Sequence, residues 1–186
     1  MRFPPVLILV VMLPLAGCWQ SETSLYRGQT PLEPVRTGKV EGIGEDGKTR
    51  EQSVLTKQPG GIYRLTNDEK NSSDFGDSFV IRFFPLEGAP PGLVVFEARE
   101  RKVCKPSDNM CHQDPAFYYG LARVEGDKAE VLNPDCDKDG PIAKLPGVKL
   151  GECGICTFSD HASLERALEL LAKQQWQPQV TYRLKD

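Results

Sequence analysis

Apolar and polar positions alternate with a period of two over much of the chain, the signature of half-buried strands. In Ser78 to Leu86, Phe79, Ile81 and Phe83 fall on one face and Val80, Arg82 and Phe84 on the other. Glu87 to Gly92, with two prolines, turns the chain back into Leu93 to Arg99. There Val94, Phe96 and Ala98 alternate with Val95, Glu97 and Arg99. Phe117 to Val124 and Lys128 to Leu132 form a second compact hairpin around Glu125-Gly126-Asp127. A third pivots on Asp46-Gly47 within Gly38 to Ser53, because Asp-Gly suits a two-residue hairpin turn. Its strands are polar, which predicts a sheet edge. Gly60 to Thr66 is a short strand candidate, followed by an acidic, Ser/Asn-rich loop to Asp77.

Near the end the period changes. Leu164, Ala167, Leu168 and Leu171 recur at helical spacing, and Glu165, Arg166, Glu169 and Lys173 take the opposite face. Ser159 or Asp160 can cap this helix, which the pattern carries to about Gln174. Val180 to Leu184 is a last strand candidate. The expected fold is α+β, mainly antiparallel hairpins with one C-terminal amphipathic helix closing a face or an end of the sheet. Strands and helices do not alternate, which argues against a parallel α/β enzyme chassis.

The 186 residues suit one domain with a sizeable core. Lys and Arg number 23 against 26 Asp and Glu, and 39% of residues are apolar, so wholesale disorder is excluded. The acidic balance provides no electrostatic footprint for nucleic acid. Gly 17 and Pro 15 together are about a sixth of the chain, as expected of a turn-rich β protein.

The N-terminus carries an address. Arg2 precedes a run from Val6 to Leu15 that is apolar apart from Pro14. Ten helical residues rise only about 15 Å, half a bilayer core, so the run suits a removable export signal rather than a permanent anchor. Leu15-Ala16-Gly17-Cys18 resembles the lipobox of bacterial lipoproteins. That resemblance implies a diacylglyceryl group on the Cys18 thiol, cleavage after Gly17, and a fatty acid such as palmitate on the new amino group. Two or three long chains anchor durably where one does not. Trp19 does not match the aspartate that tends to retain such proteins at the inner membrane. The resemblance therefore favours the outer membrane, facing the periplasm. The expected organisation is a signal peptide over residues 1–17, a lipidated tether over 18–36 and a β-rich domain over 37–186. Gln20 to Arg36, rich in polar residues and holding Pro31 and Pro34, is the expected spacer.

Beyond Cys18 there are five cysteines: Cys104, Cys111, Cys136, Cys153 and Cys156. In an oxidising compartment disulfides are the default, and an odd count leaves one thiol over. Sequence proximity favours Cys104 with Cys111, and Cys136 with Cys156 is preferred to Cys136 with Cys153. Three other chemistries compete for these residues. Cys153-Gly154-Ile155-Cys156 has the CxxC spacing of thiol–disulfide redox proteins, although Thr157-Phe158-Ser159 separates it from the helix start that would activate a thiol. Zinc could take Cys153 and Cys156 with Cys136, Cys104 or Cys111 and with His112 or His161, but no second paired motif exists. Asp135, Asp137 and Asp139 ahead of Gly140 fit the start of a calcium loop, D-x-D-x-D-G. The twelfth loop position, which should be a bidentate Glu, is Pro146, so any calcium site would be weak.

No G-x-S-x-G, phosphate-binding loop or H-E-x-x-H string occurs. In Phe117-Tyr118-Tyr119 the outer two residues share a strand face and Tyr118 takes the other. The expected role is non-enzymatic: a membrane-anchored envelope protein that binds or supports, with another envelope protein or peptidoglycan as partner. Redox work at Cys153/Cys156 and weak calcium-dependent binding at the aspartate turn are the alternatives.

Overall fold

The computed structural model describes residues 19–67, 78–101, 116–132, 134, 136, 140–151, 154–174 and 178–185. Its elements in chain order are β1 (Trp19–Ser21), β2 (Gly38–Gly44), β3 (Thr49–Gln58), β4 (Ile62–Asn67), β5 (Ser78–Pro85) and β6 (Leu93–Arg101). They continue with β7 (Phe117–Glu125), β8 (Lys128–Leu132), β9 (Val148–Leu150), β10 (Cys156–Phe158), helix α1 (His161–Ala172) and β11 (Val180–Lys185).

From β2 to β8 each strand pairs antiparallel with the next. Strand β11 then inserts between β8 and β2, with Thr181 opposite both Glu130 and Ile43, and is antiparallel to each. The result is a closed eight-stranded barrel rather than an open set of hairpins. Closure corrects the expected architecture in one respect that matters. The polar strand β2, expected at an edge, lies between β3 and β11. Its alternation was misleading because glycines hold much of its inner face: Gly38 and Gly42 flank Val40 there.

Two apolar cores sit on opposite sides of the barrel wall. Inside, Val40, Leu55, Tyr63, Leu65, Phe83, Val94, Phe96, Ala98, Ala122 and Val131 pack together. Outside, β5, β6 and β7 present Phe84, Val95, Tyr119 and Leu121 to α1, which buries Leu164, Ala167, Leu168 and Leu171 against them. The apolar stripe of the helix thus covers an outer face of the barrel. Asp160 caps it, its Oδ1 accepting from Ser163 N at 2.8 Å. Elsewhere the wall is charged outside and apolar within: Lys39, Gln52, Thr56, Arg183 and Lys185 face outward from β2, β3 and β11. A barrel that spans an outer membrane has the reverse polarity.

Parts of the segment before β2 pack onto the rest of the chain despite its polar composition. Strand β1 pairs antiparallel with β7 and parallel with β10, placing Trp19 opposite Cys156. Strand β9 continues this side sheet beyond β10. Trp19 is fully buried with its ring 5.1 Å from that of Phe158, and Tyr26 stacks on Phe84 at 4.3 Å. A few large aromatics anchor an otherwise polar stretch, since each buries far more apolar area than its neighbours.

Candidate functional site in the barrel lumen

The chain from Pro31 to Arg36 crosses one mouth of the barrel, where the β3–β4, β5–β6 and β7–β8 turns gather. Leu32 N donates to Phe83 O at 2.7 Å, Tyr63 Oη donates to Val35 O at 3.1 Å, and Arg36 Nη1 pairs with Asp127 Oδ1 at 2.9 Å. Val35 packs against the inner core from this strap. Above it lies a cavity of about 70 Å³ lined by apolar side chains, among them Val40, Leu55, Phe83, Ala122 and Val131, with Tyr182. A smaller space of about 40 Å³ shares Val35, Val40, Leu55, Ala129 and Tyr182 and leads to Asp127 and Lys128 at the strapped mouth.

Two inward-facing glycines, Gly120 and Gly42, are closely covered by neighbouring groups. A Cβ at Gly120 would stand 2.6 Å from both the Leu132 carbonyl and the Phe96 ring. A Cβ at Gly42 would stand 2.8 Å from Glu51 Cγ and 3.3 Å from Tyr182 Cε1. A polar pair on the inner face sits over Gly42, with Tyr182 Oη donating to Glu51 Oε1 at 2.6 Å. Burial pushes the Glu51 carboxyl above its ordinary range, partly offset by the Tyr182 hydrogen bond. Burial and the adjacent carboxylate push the Tyr182 phenol well up, so it stays a neutral donor.

A second polar network ties the N-terminal segment to the outer wall. Arg82 pairs with Glu97, whose Oε2 also accepts from Ser24 Oγ at 2.8 Å and from Tyr119 Oη at 3.2 Å. Tyr119 Oη in turn accepts from Leu25 N at 3.0 Å. Burial first, then the nearby Glu97 charge, pushes Tyr119 far above its ordinary value, so it donates and does not ionise.

The sequence-predicted site residues divide sharply. Cys136 and Cys156 form the disulfide preferred from the sequence for Cys136, with Cα atoms 5.5 Å apart. It joins the stretch after β8 to β10, next to Trp19. Cys156 is fully buried and bonded to Cys136, so a Cys153–Cys156 bond would first require exchange with this one. Cys18, Cys104, Cys111 and Cys153 lie outside the described residues, as do Asp135, Asp137 and Asp139 of the calcium alternative. His161 starts α1, its ring 4.7 Å from that of Tyr26 and its Nε2 3.0 Å from Gln29 Nε2, a structural setting. Of Phe117-Tyr118-Tyr119, Tyr119 joins the outer core and Tyr118 packs against the inner one, as alternation requires.

Sequence reasoning missed Val35, Glu51 and Tyr182. The signal for Glu51 was present: Glu51, Ser53 and Leu55 share one strand face, and Leu55 belongs inside. For Val35 no local signal exists, because its place depends on where the barrel closes. Compared with known proteins, the chain matches no family model, no curated protein and no solved structure.

Proposed function

We propose that this is a lipid-anchored protein of the bacterial cell envelope, facing the periplasm from the outer membrane, that works by binding rather than by catalysis. The seat of binding is the barrel lumen, and the ligand is a slender apolar chain. The observation that carries this reading is a closed barrel whose interior is lined by hydrocarbon around unfilled space, with the Tyr182–Glu51 pair at its wall. Eight strands are the size at which a barrel either fills with its own side chains or holds one small ligand. A space of about 70 Å³ is far below the roughly 300 Å³ of a drug-sized pocket, so it suits a hydrocarbon segment and not a bulky ring system.

The lipobox resemblance supplies the anchor at Cys18. Because β1 begins at Trp19, acyl chains on Cys18 hold the barrel directly at the lipid surface, with no spacer between. An acyl chain from that same surface is the nearest apolar ligand. Docking to an envelope protein or to peptidoglycan is the competing role.

A photoactivatable fatty acid supplied to cells making the full chain tests this, with crosslinked peptides mapped by mass spectrometry. Adducts on Val40, Leu55, Leu65 or Phe96, reduced in an Ala129→Phe variant, support the lumen reading. Adducts confined to the outer wall, or none, overturn it. Failure of a Cys18→Ser variant to be processed, with loss from the membrane fraction, is the expected result for the anchor.

A further inference from the structure

The outer face of β4, β5 and β6 carries a second feature that the lumen does not use. Strand register aligns Arg64, Val80 and Arg99 in one row across the three strands, and Thr66, Ser78 and Arg101 in the next. Arg82 lies on the other side of this row, opposite Glu97. Arg64 leans toward the second row, its Nε donating to Ser78 Oγ at 3.2 Å. Beside them is a groove of about 350 Å³ lined by Arg82, Arg99 and Arg101 with Ile62, Val80, Glu97, Glu100 and Phe117. It is the largest of the described cavities and falls within the size range of small-ligand sites.

Its charge is unbalanced. Three arginines, Arg82, Arg99 and Arg101, line the groove with two carboxylates, Glu97 and Glu100, and Glu97 is already paired with Arg82. It binds Arg82, Ser24 and Tyr119 at the edge of the groove. Arg99 holds its guanidinium carbon over the Phe117 ring, 5.2 Å from the centroid. Its Nε is buried and has no hydrogen-bond partner among the described residues. A buried donor left unmatched on a positioned arginine calls for a partner. Guanidinium forks match the paired oxygens of phosphate better than any single-point cation does.

We propose that this groove binds a phosphate group, held by Arg99 and Arg101 with Arg64 beside them and the Phe117 ring as a wall. The phosphate is either free or the headgroup of a phospholipid, and the site is independent of what the lumen holds. The test uses the full chain in uncharged detergent, titrated by calorimetry with inorganic pyrophosphate. A parallel series uses short-chain phosphatidylglycerol and phosphatidylcholine below their micelle concentrations. Saturable binding of pyrophosphate, weakened about tenfold or more by Arg99→Gln and by Arg101→Gln, is the expected result, since each removes a charge-assisted contact. Arg101 is exposed, so its variant keeps the fold even if Arg99→Gln does not. Saturable binding of phosphatidylglycerol alone, with the same arginine dependence, assigns the site to a lipid headgroup. The proposal is overturned if neither anion binds at millimolar concentration. It is equally overturned if the two variants bind like the parent, or if Arg183→Gln on the far side of the barrel weakens binding as much.

Discussion

Tyr182 reaches across Gly42 to hydrogen-bond Glu51, joining β11 to β3 over the strand between them. The register places Tyr182, Gly42 and Glu51 side by side, and only a residue without a Cβ leaves the two side chains free to meet. Gly42→Ala forces a Cβ to within 2.8 Å of Glu51 Cγ. The expected cost is about 1–3 kcal/mol, the usual range for overpacking a filled interior. Urea unfolding of the two proteins measures it, and an unchanged midpoint would show that Glu51 simply swings away.

The same pair gives stability an unusual pH dependence. The folded-state pKa of Glu51 is raised above the ordinary value of 4.5, so the folded protein holds this proton where the unfolded chain has lost it. The Glu51 contribution to stability therefore rises as pH falls from neutral through the raised pKa toward 4.5, and is fully present only below that. Glu51→Gln keeps an acceptor for Tyr182 and removes the charge, so it should be neutral or stabilising at pH 7 and should flatten this part of the profile. Thermal midpoints of both proteins between pH 4.5 and pH 7 check it. A steeper profile in Glu51→Gln would rule out the burial of this carboxyl as its cause.

Strand by strand, the fold was legible because its signals are local. Phe79, Ile81 and Phe83 face the lumen side of the wall and Phe84 the helix side, as period-two alternation requires. Asp160 caps α1 and the leucines at helical spacing are its buried stripe. Closure was not legible, because it rests on pairing Val180 with both Val131 and Gly44 across long stretches of chain. The strap escaped for a related reason. Its polar residues look like a linker, while Trp19, Tyr26 and Val35, which hold it down, are too few to make a period.

Glu97 is 2% exposed and serves three donors at once, so its removal should be severe. Glu97→Ala leaves Arg82 partly buried without its counter-charge and removes the carboxylate that accepts from Tyr119 and Ser24. A loss of about 3–5 kcal/mol is expected, as when one partner of a buried ion pair is deleted. Glu97→Gln retains the hydrogen-bonding shape and should lose less. Equal losses in the two variants would mean that charge, and not geometry, holds the N-terminal segment to the wall.

The strap should respond to its buried contact and not to its exposed one. The Arg36 and Asp127 side chains are 71% and 50% exposed, and pairs of that kind contribute about 0–1 kcal/mol. Tyr63 is buried and donates to Val35 O, so Tyr63→Phe removes a bond of about 1 kcal/mol and strands the carbonyl. Hydrogen exchange at Val35 and its neighbours should speed up in Tyr63→Phe and stay near parental in Arg36→Ala. The reverse order would place the strap's hold at the surface.

The Cys136–Cys156 bond links two tests, one of stability and one of how the N-terminal strand is held. It closes a loop of 20 residues' separation, worth about 3 kcal/mol in the chain-entropy account. Cys156 also lies beside Trp19 in the parallel ladder, so β10 is the surface on which β1 rests. Paired Cys136→Ser and Cys156→Ser substitutions should lower stability by roughly that amount and loosen β1 before the barrel opens, because the barrel strands keep their own ladders. The chain has two tryptophans, Trp19 and Trp176, so in a Trp176→Phe background fluorescence reports on Trp19 alone. A red shift of that emission at denaturant concentrations where circular dichroism is still native is the expected signature. Coincident transitions would instead mean that β1 and the barrel unfold as one cooperative unit, with the disulfide stabilising both equally.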